Sequence, residues 1–333
     1  MKRDVSVVIP TYNRRARLGR VLDGLAGQSV ELDRFEVVVV DDGSSDHTAE
    51  WLRSKHFGFS LRLIEQANQG PAAARNAGVA AAQGELVLFL DDDVVPGPHL
   101  VSEHLKMHAA EADIVVIGPM ASLPSYSQPW VAWEQAKLEA QYQAMIRGDY
   151  APTFRQFWTG NASLAKSQFE AAGGFDRSFP RGEDVELGQR LSARGVGFRF
   201  NPAASGVHHA ERSLESWSAA HRSYGKLEVE IFRRFGEDSL TEFLADNYRR
   251  LHPMNRWLVR ECVRRERPYA IAATALRSWL KLGQAVGRPV FAHAACGALA
   301  NLLYWDASAE ELGKAGIREV FERGSAPRST RGE

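Results

Sequence analysis

One segment of the sequence reads Phe35-Glu36-Val37-Val38-Val39-Val40-Asp41-Asp42-Gly43-Ser44, an apolar run that stops abruptly at a polar turn. A run this rich in β-branched residues is typical of a strand buried on both faces of a parallel sheet. Asp, Gly and Ser are residues that close such a strand in a turn. The segment therefore predicts a buried strand of an α/β domain, with carboxylates at the carboxyl end of the strand.

The same pattern recurs along the first 200 residues. Apolar runs predict strands at residues 5–9, 35–40, 61–64, 86–90, 158–165 and 197–201, and helices are predicted after the first strand, at 46–55, at 71–83, at 130–145 and from about residue 183. This alternation favours a doubly wound α/β domain, although it does not give the strand order. Ligands of such domains bind at the carboxyl ends of the strands, where the polar clusters at 10–13, 41–44 and 91–93 fall.

Three aspartates, Asp91-Asp92-Asp93, directly follow the fourth predicted strand. Successive side chains of an extended segment alternate in direction, so Asp91 and Asp93 can share one side. Carboxylates placed in this way can hold a divalent cation, and such a cation can neutralise a departing pyrophosphate. A solvated turn or helix cap is the alternative for a lone acidic triplet. The position at a strand end favours the metal pair.

Composition excludes some classes of function. Lys and Arg together number 41, as do Asp and Glu, so no overall basic field exists to recruit nucleic acid. Cys262 and Cys296 have neither the spacing of a zinc site nor the density of a disulfide scaffold, which indicates a reducing compartment. The apolar run at 5–10 is too short for a signal peptide. We therefore expect a cytoplasmic protein that does not bind nucleic acid.

Beyond residue 212 the pattern changes to helices only. The sequence predicts a catalytic domain at 1–212, a helical region at 213–322 and a frayed tail at 323–333. Residues 249–267 carry arginines at helical spacing beside apolar residues, a pattern that predicts either a solvated helix or peripheral contact with the cytoplasmic face of a membrane. Charged residues and Pro289 interrupt the apolar stretch at 270–305, so no segment is long enough to span a bilayer. The oligomeric state is not predicted.

Six motifs of this chain, in the same order, resemble those of the family 2 glycosyltransferases. They are residues 5–13 (VSVVIPTYN), 38–46 (VVVDDGSSD), 68–76 (NQGPAAARN), 89–93 (FLDDD), 173–176 (GGFD) and 182–187 (GEDVEL). The resemblance covers about the first 210 residues. It implies the GT-A fold, a Rossmann-like doubly wound mixed sheet, here followed by a C-terminal helical appendage.

The resemblance also implies an activity and roles for individual residues. The expected reaction is inverting transfer of a sugar from a nucleotide diphosphate sugar to an acceptor hydroxyl in polysaccharide, glycolipid or other glycoconjugate biosynthesis. Asp184 is implied as the general base that takes the proton of the attacking hydroxyl, and a plain helix cap is the alternative for Glu183-Asp184. Glu183 is also a candidate for binding the acceptor. The residues implied to bind the nucleotide sugar are Pro10, Thr11, Tyr12, Asn13, Asp42, Gly70, Arg75, Asp91 and Asp92.

A metal ion and two substrates complete the prediction. The expected ligands of Mn²⁺ or Mg²⁺ are Asp91, Asp93 and His208, since the resemblance implies a metal-binding His at this position. The resulting mixed oxygen and imidazole shell suits Mn²⁺ and tolerates Mg²⁺. His209 is the alternative to His208, since adjacent side chains of a strand face opposite ways. Trp158 is a candidate wall of the acceptor site or a core residue. We expect a UDP-sugar donor, with GDP- or dTDP-sugars as alternatives, and a saccharide or lipid-linked glycan as acceptor.

Two other functions use a similar domain. A sugar nucleotidylyltransferase also needs a sheet and a metal ion, and a non-catalytic carbohydrate-binding subunit can keep the same fold. A dehydrogenase is a poor alternative, because the first predicted strand leads into Pro10-Thr11-Tyr12-Asn13 and has no Gly-x-Gly-x-x-Gly turn.

Overall fold

The computed structural model describes residues 3–179, 181–236, 240–287 and 292–326. The chain forms two compact units, one made of residues 1–125 and 135–210 and the other of residues 126–134 and 211–333. The sequence predicts a change of domain at 212, and the main change of unit lies between residues 210 and 211. Segment 126–134 of the helical unit has no counterpart in the sequence prediction.

The described residues of the first unit form ten strands. They are β1 (Val5–Thr11), β2 (Phe35–Asp41), β3 (Ser60–Glu65), β4 (Leu86–Leu90), β5 (Val94–Pro96), β6 (Ile114–Ile117), β7 (Met120–Ser122), β8 (Asn161–Ala165), β9 (Gly197–Phe200) and β10 (Gly206–His208). Seven form one sheet in the order β3-β2-β1-β4-β8-β6-β9. Its strands are parallel except β8, which is antiparallel to both β4 and β6. The sheet is therefore mixed, and β1 and β4 lie at its centre.

Helices connect and cover these strands. The helices of the first unit are α1 (Arg15–Ala26), α2 (Thr48–Arg53), α3 (Pro71–Ala81), α4 (Leu100–Ala110), α5 (Pro129–Arg147, with its first residues in the second unit), α6 (Lys166–Ala171) and α7 (Glu183–Ala193), with a 3₁₀ turn at Phe154–Gln156. The predicted helices and strands are present with shifted ends. The segment predicted as a strand from residue 158, for example, joins the sheet only from Asn161.

The apolar run of β2 is explained by the two layers that cover the sheet. Val38 and Val40 belong to one core cluster, together with residues of α3 and α7. Val37 and Val39 belong to the other, together with residues of α1. Because successive strand residues face opposite layers, a strand covered on both faces must be apolar at every such position.

A second, three-stranded sheet has the order β5-β10-β7. β10 is antiparallel to β5, with His208 opposite Val94, and parallel to β7, with His208 opposite Ser122. Val94 directly follows the aspartate triplet in the sequence. This small sheet therefore brings His208 next to the acidic end of β4.

The second unit consists of helices in its described part. They are α8 (Leu214–Phe235), α9 (Leu240–Arg249), α10 (Pro253–Cys262), α11 (Glu266–Ala285) and α12 (His293–Ser325). α12 packs against the other four helices. The largest fully buried side chains of this unit include Trp217 on α8, Tyr248 on α9 and Trp305 on α12. The first three residues of the predicted tail continue α12, and residues 327–333 lie outside the described residues. Where the chain is described, none of its helices combines the length and apolar character needed to cross a bilayer.

Candidate active site

The carboxyl ends of β1, β2 and β4 meet at one edge of the sheet. The Thr11 hydroxyl at the end of β1 donates to Asp92 Oδ2 at 2.7 Å, directly after β4. The backbone N–H of Asp42, after β2, donates to the carbonyl of Thr11 at 2.9 Å. The structure therefore brings together the three polar clusters that the sequence places at strand ends.

The carboxylate of Asp42 organises the loop that leads into α3. It is buried and accepts hydrogen bonds from Gln66 Nε2 at 2.7 Å and from the backbone N–H groups of Gln69 and Gly70 at 2.9 and 2.8 Å. Gly70 has φ of 86°, a backbone conformation that favours glycine, and Pro71 then begins the helix. The carboxylate of Asp42, predicted to contact the nucleotide, thus already accepts hydrogen bonds that hold the loop at 66–70 in place.

The loop after β1 is joined to the loop after β2. The Asn13 backbone N–H donates to Ser44 Oγ at 2.9 Å, and the Asn13 side-chain oxygen accepts from the Ser45 N–H at 2.7 Å. Pro10 is the penultimate residue of β1. Tyr12 extends from the joined loops with 48% of its surface exposed, so its ring is accessible for stacking on a planar base.

A buried arginine links β4 to α7. One guanidinium nitrogen of Arg75 donates to Asp91 Oδ1 at 2.8 Å, and another donates to Glu183 Oε1 at 2.8 Å. Arg75 and Glu183 are buried, whereas 35% of the Asp91 side chain is exposed. We call Asp91, Arg75 and Glu183 the arginine clamp. Glu183, predicted to bind the acceptor or cap the helix, uses at least one carboxylate oxygen to hold Arg75.

Asp184 lies beside the clamp in the first turn of α7. Its Oδ1 accepts the Val185 backbone N–H at 2.8 Å, and Gly182 precedes the helix in the left-handed conformation. Burial, together with the neighbouring charge of Glu183, raises the pKa of Asp184 to about 7. A carboxylate with this pKa is suited to accept a proton near neutral pH.

The other two aspartates of the triplet, Asp92 and Asp93, both bond to the guanidinium of Arg14. Arg14 donates to Asp92 Oδ1 at 3.0 Å and to Asp93 Oδ2 at 2.9 Å, and Arg17 lies 3.9 Å from Asp93 Oδ2. Burial raises the pKa of Asp92 to about 6, and the charge of Asp93 acts in the same direction against that of Arg14. Arg14 therefore offsets part of the repulsion between two buried carboxylates.

Asp93 also faces His208 across the junction of the two sheets. His208 Nε2 lies 3.5 Å from Asp93 Oδ1, and His208 Nδ1 lies 3.0 Å from Gln135 Nε2. Burial alone would raise the pKa of Asp93, but the hydrogen bond and charge of His208, with the charge of Arg14, outweigh it and lower that pKa. His209, the alternative ligand, has its Nδ1 3.1 Å from an Arg20 nitrogen.

The predicted metal ligands are therefore partly brought together. Asp93 and His208 face each other, while Asp91 bonds to Arg75. Over the described ranges, no group of three or more His, Cys, Asp or Glu side chains is arranged to hold a metal ion. The carboxylate and imidazole of Asp93 and His208 are nevertheless a donor pair that suits Mn²⁺.

Asn161 holds the segment that leads to β10. It is fully buried, and its side-chain nitrogen donates to the carbonyl groups of Pro119 and Ala204 at 3.2 and 2.8 Å. Its side-chain oxygen lies 3.0 Å from His104 Nε2. These bonds join β8 to the loops before β7 and β10, and so support the position of His208.

Trp158 packs at the edge of the apolar core. Its ring meets Tyr142 edge to face, with ring centroids 5.6 Å apart, and it borders both core clusters. Nearby, Gly160 leaves room for Met120 and Asp91, because a Cβ at this position would collide with Met120 Sδ and would lie 2.9 Å from Asp91 Oδ2. Trp158 thus has the packing of a core residue, while its predicted role in acceptor binding stays a prediction.

Sequence reasoning missed Arg14, Gln135 and Gly160. Arg14 directly follows the 5–13 motif, and a cation at the end of a strand near acidic strand ends is a signal that could have been used. Gln135 and Gly160 carry no such signal, because their roles depend on contacts with residues distant in the sequence.

Comparison with known proteins bears on this site. A family model described as glycosyl transferase family 2 matches residues 6–167. Residues 6–167, just under half of the chain, are therefore similar to glycosyl transferase family 2 domains. The match contains Thr11, Arg75 and the aspartate triplet, and it ends before α7 and β10. It therefore includes the residues at the ends of β1, β2 and β4.

Curated relatives extend the likeness beyond the family model. A validoxylamine A glucosyltransferase from Streptomyces hygroscopicus subsp. jinggangensis is 35% identical over 61% of this chain and 54% of its own length. A pre-mycofactocin glycosyltransferase from Mycobacterium tuberculosis is 32% identical over 67% of this chain and 46% of its own length. The chain thus spans about half the length of the curated relatives it matches.

Solved structures show the fold. TarS from S. aureus, solved as residues 1–349, has a TM-score of 0.53 and 18% identity, with 92% of this chain and 91% of that chain covered. The mannosyltransferase PcManGT from Pyrobaculum calidifontis, in complex with GDP-Man and Mn²⁺, has a TM-score of 0.55 and 20% identity, with 98% and 86% covered. The fold is accordingly the mixed α/β fold of the GT-A glycosyltransferases.

Proposed function

We propose that this protein transfers a sugar, with inversion, from a nucleotide diphosphate sugar to an acceptor hydroxyl in glycoconjugate biosynthesis. The observation that carries the proposal is the arginine clamp. It connects Asp91, at the nucleotide end of the family domain, with Glu183, the neighbour of the proposed base Asp184. One buried cation thus couples the donor end of the site to the acceptor end.

The proposed chemistry needs a single base. The acceptor oxygen attacks the anomeric carbon as the bond from that carbon to the phosphate oxygen breaks, and Asp184 takes the hydroxyl proton. Its raised pKa suits this role, because the carboxylate is ionised above pH 7 and still basic enough to accept a proton. One displacement without a covalent intermediate inverts the configuration at the anomeric carbon.

Asp93 and His208 are the proposed metal ligands. Their facing oxygen and nitrogen suit Mn²⁺ or Mg²⁺, and the Mn²⁺ complex of the mannosyltransferase neighbour supports the same choice. A divalent cation bound there would neutralise charge on the departing pyrophosphate. Arg14 already contacts Asp93 and would share the same carboxylate with the ion.

The proposed donor is a UDP-sugar, with GDP- and dTDP-sugars as alternatives. TarS has been solved with UDP and with UDP-GlcNAc, whereas the mannosyltransferase was solved with GDP-Man. In this chain the exposed ring of Tyr12 is the proposed platform for the base, and Asp91 is the proposed ribose contact. The acceptor is proposed to be a saccharide or lipid-linked glycan, and the unpaired, buried Cys262 and Cys296 support a cytoplasmic location.

Two linked measurements test this function. A thermal-shift screen of nucleotide sugars with and without Mn²⁺ identifies the donor, because a ligand of the native state raises the melting temperature. Proton NMR of the reaction with that donor and a panel of saccharide acceptors then reports the anomeric configuration of the product. A donor-dependent product of inverted configuration is expected. Retention of configuration, or pyrophosphate release from nucleoside triphosphate and sugar phosphate, would contradict the proposal.

A further inference from the structure

Two consecutive helices of the second unit expose large apolar side chains to an unusual degree. In the described ranges, the six most exposed large apolar residues all lie on α10, on α11 or directly after α11, with 58% to 72% of their surface exposed. They are Met254, Trp257, Ile271, Trp279, Leu282 and Val286. Scattered single apolar residues on a surface need no explanation, but this concentration in 33 residues of sequence does.

The exposed residues of α11 form one stripe along the helix. Ile271, Ala275, Trp279, Leu282 and Val286 are all exposed, and they follow one another at spacings of four, four, three and four residues. This spacing places them on the same side of a helix. The buried residues Ala273, Leu280 and Gly283 occupy the other side, and α11 packs against α12. The stripe therefore lies opposite the side that forms the core of the unit.

The same part of the chain carries a large positive charge. Residues 254–286 contain seven Lys or Arg and two Glu, a net charge of +5 in a chain whose formal charge is zero. Arg265 pairs with Glu261 at 2.8 Å. Glu215 on α8 lies near Lys281 and Arg277. Hydrogen bonds are the main cause of the lowered pKa of Glu215, and the charges of Lys281 and Arg277 lower it further. These acidic groups offset only part of the positive charge.

We propose that α10 and α11 form a docking face for the surface of an anionic phospholipid bilayer. Exposed Trp, Leu, Ile and Met side chains enter the boundary between headgroups and acyl chains, and Arg and Lys beside them attract acidic headgroups. The net charge of +5 over residues 254–286 identifies the anionic surface as the complement. A second copy of the chain, in a two-fold dimer, would instead place the same positive face against itself. At 249–267 the sequence is compatible with either a solvated helix or membrane contact, and the structure adds the exposed apolar stripe of α11.

The proposal is tested with the full chain and vesicles, without a donor or acceptor. Co-sedimentation is measured with phosphatidylcholine vesicles that contain about 30% phosphatidylglycerol and with phosphatidylcholine alone, at about 0.1 M and about 1 M salt. We expect binding to the anionic vesicles at low salt, and at least tenfold weaker binding at high salt or to neutral vesicles. Binding to neither vesicle, or equally to both, would overturn the proposal.

Two double variants separate the contributions of charge and apolar contact. Arg260→Gln with Arg267→Gln should lower the partition coefficient about 30-fold, because each cation near such a surface contributes about fivefold. Its matched control, Lys314→Gln with Arg318→Gln, removes two exposed cations of α12 and should change binding less than about twofold. An equal loss in both variants would show a diffuse charge effect and overturn the proposed face.

Trp279→Gln with Leu282→Gln removes the middle of the stripe and should weaken vesicle binding at least tenfold. Ile146→Gln is the control, because Ile146 is an exposed apolar residue of the other unit. Melting temperature and oligomeric state are measured for each variant. If the stripe variant keeps its vesicle affinity, or if it only converts an oligomer into a monomer, the bilayer is not the occupant of this face.

Discussion

Replacement of Arg75 by Met should destabilise the protein strongly, because it leaves two carboxylates without their shared cation. Arg75 is buried and donates to Asp91 and Glu183 at 2.8 Å each. Methionine keeps an apolar stem of similar length, and the guanidinium of Arg75 lies 5.9 Å from the centre of the Phe175 ring. The substitution therefore removes the charge and leaves much of the packing intact.

The size of the effect follows from burial. Removal of one partner of a buried ion pair costs about 3–5 kcal/mol, because the remaining charge stays desolvated. Only 9% of the Glu183 side chain is exposed, whereas 35% of the Asp91 side chain is exposed and keeps access to water. The cost should therefore come mainly from Glu183, and we expect a loss of about 3 kcal/mol in the free energy of unfolding.

Urea unfolding of four variants measures this loss. Arg34→Met is the matched control, since Arg34 pairs with Asp4 on the surface and such a pair contributes about 0–1 kcal/mol. Arg75→Met with Glu183→Gln removes the orphaned charge and should recover about 1–2 kcal/mol relative to Arg75→Met alone. Glu183→Gln alone completes the cycle. A loss for Arg75→Met no larger than that of Arg34→Met, or no recovery in the double variant, would refute the arginine clamp.

Two further predictions concern the proposed metal ligands and the aspartate triplet. Gln135→Leu removes the side chain that contacts His208 Nδ1, and loss of such a support typically weakens metal binding about 10- to 100-fold. Calorimetry with Mn²⁺ should therefore show at least a tenfold loss of affinity for this variant. The control Gln143→Leu, at an exposed position of the same helix, should bind Mn²⁺ as tightly as the unchanged protein. Gly160→Ala places a Cβ in collision with Met120 Sδ and 2.9 Å from Asp91 Oδ2, so both side chains must move. The thermal shift caused by the donor should shrink in this variant, and an unchanged shift would mean that Asp91 is not a donor contact.

Local patterns in the sequence predicted the strands and their polar ends. The run at Val37–Val40 is apolar because both faces of β2 are covered, and the aspartates follow β4 directly. The pattern of apolar residues along the chain follows such burial residue by residue, so burial of a strand can be predicted from the sequence alone. The position of β8, antiparallel between β4 and β6, carries no comparable local signal.

Contacts within the site were less predictable. Arg75 meets Glu183 across 108 positions, and His208 meets Gln135 across 73 positions of the sequence. Such pairs arise from the packing of whole elements, so no spacing rule indicates them. The family resemblance proposed which residues take part, but it did not reveal that Arg75 holds Asp91 and Glu183 together.

The role of Asp42 shows a second limit. A carboxylate after a strand is expected to bind a ligand, yet both oxygens of Asp42 accept hydrogen bonds from the loop at 66–70. The same residue types close turns and bind nucleotides, because both tasks need hydrogen-bond acceptors. The sequence alone could not separate these two roles.

The pH dependence of kcat/KM tests the central claim most directly, because it reports the ionisation of the free enzyme. Burial and the charge of Glu183 raise the pKa of Asp184 to about 7, and a general base must be deprotonated to act. Activity should therefore rise about tenfold from pH 6 to pH 8. Asp184→Asn should lower kcat/KM at pH 8 by about 100-fold or more while the donor-induced thermal shift is retained. A rate independent of pH across this range, or a folded Asp184→Asn protein with full turnover, would contradict the assignment of Asp184 as the base.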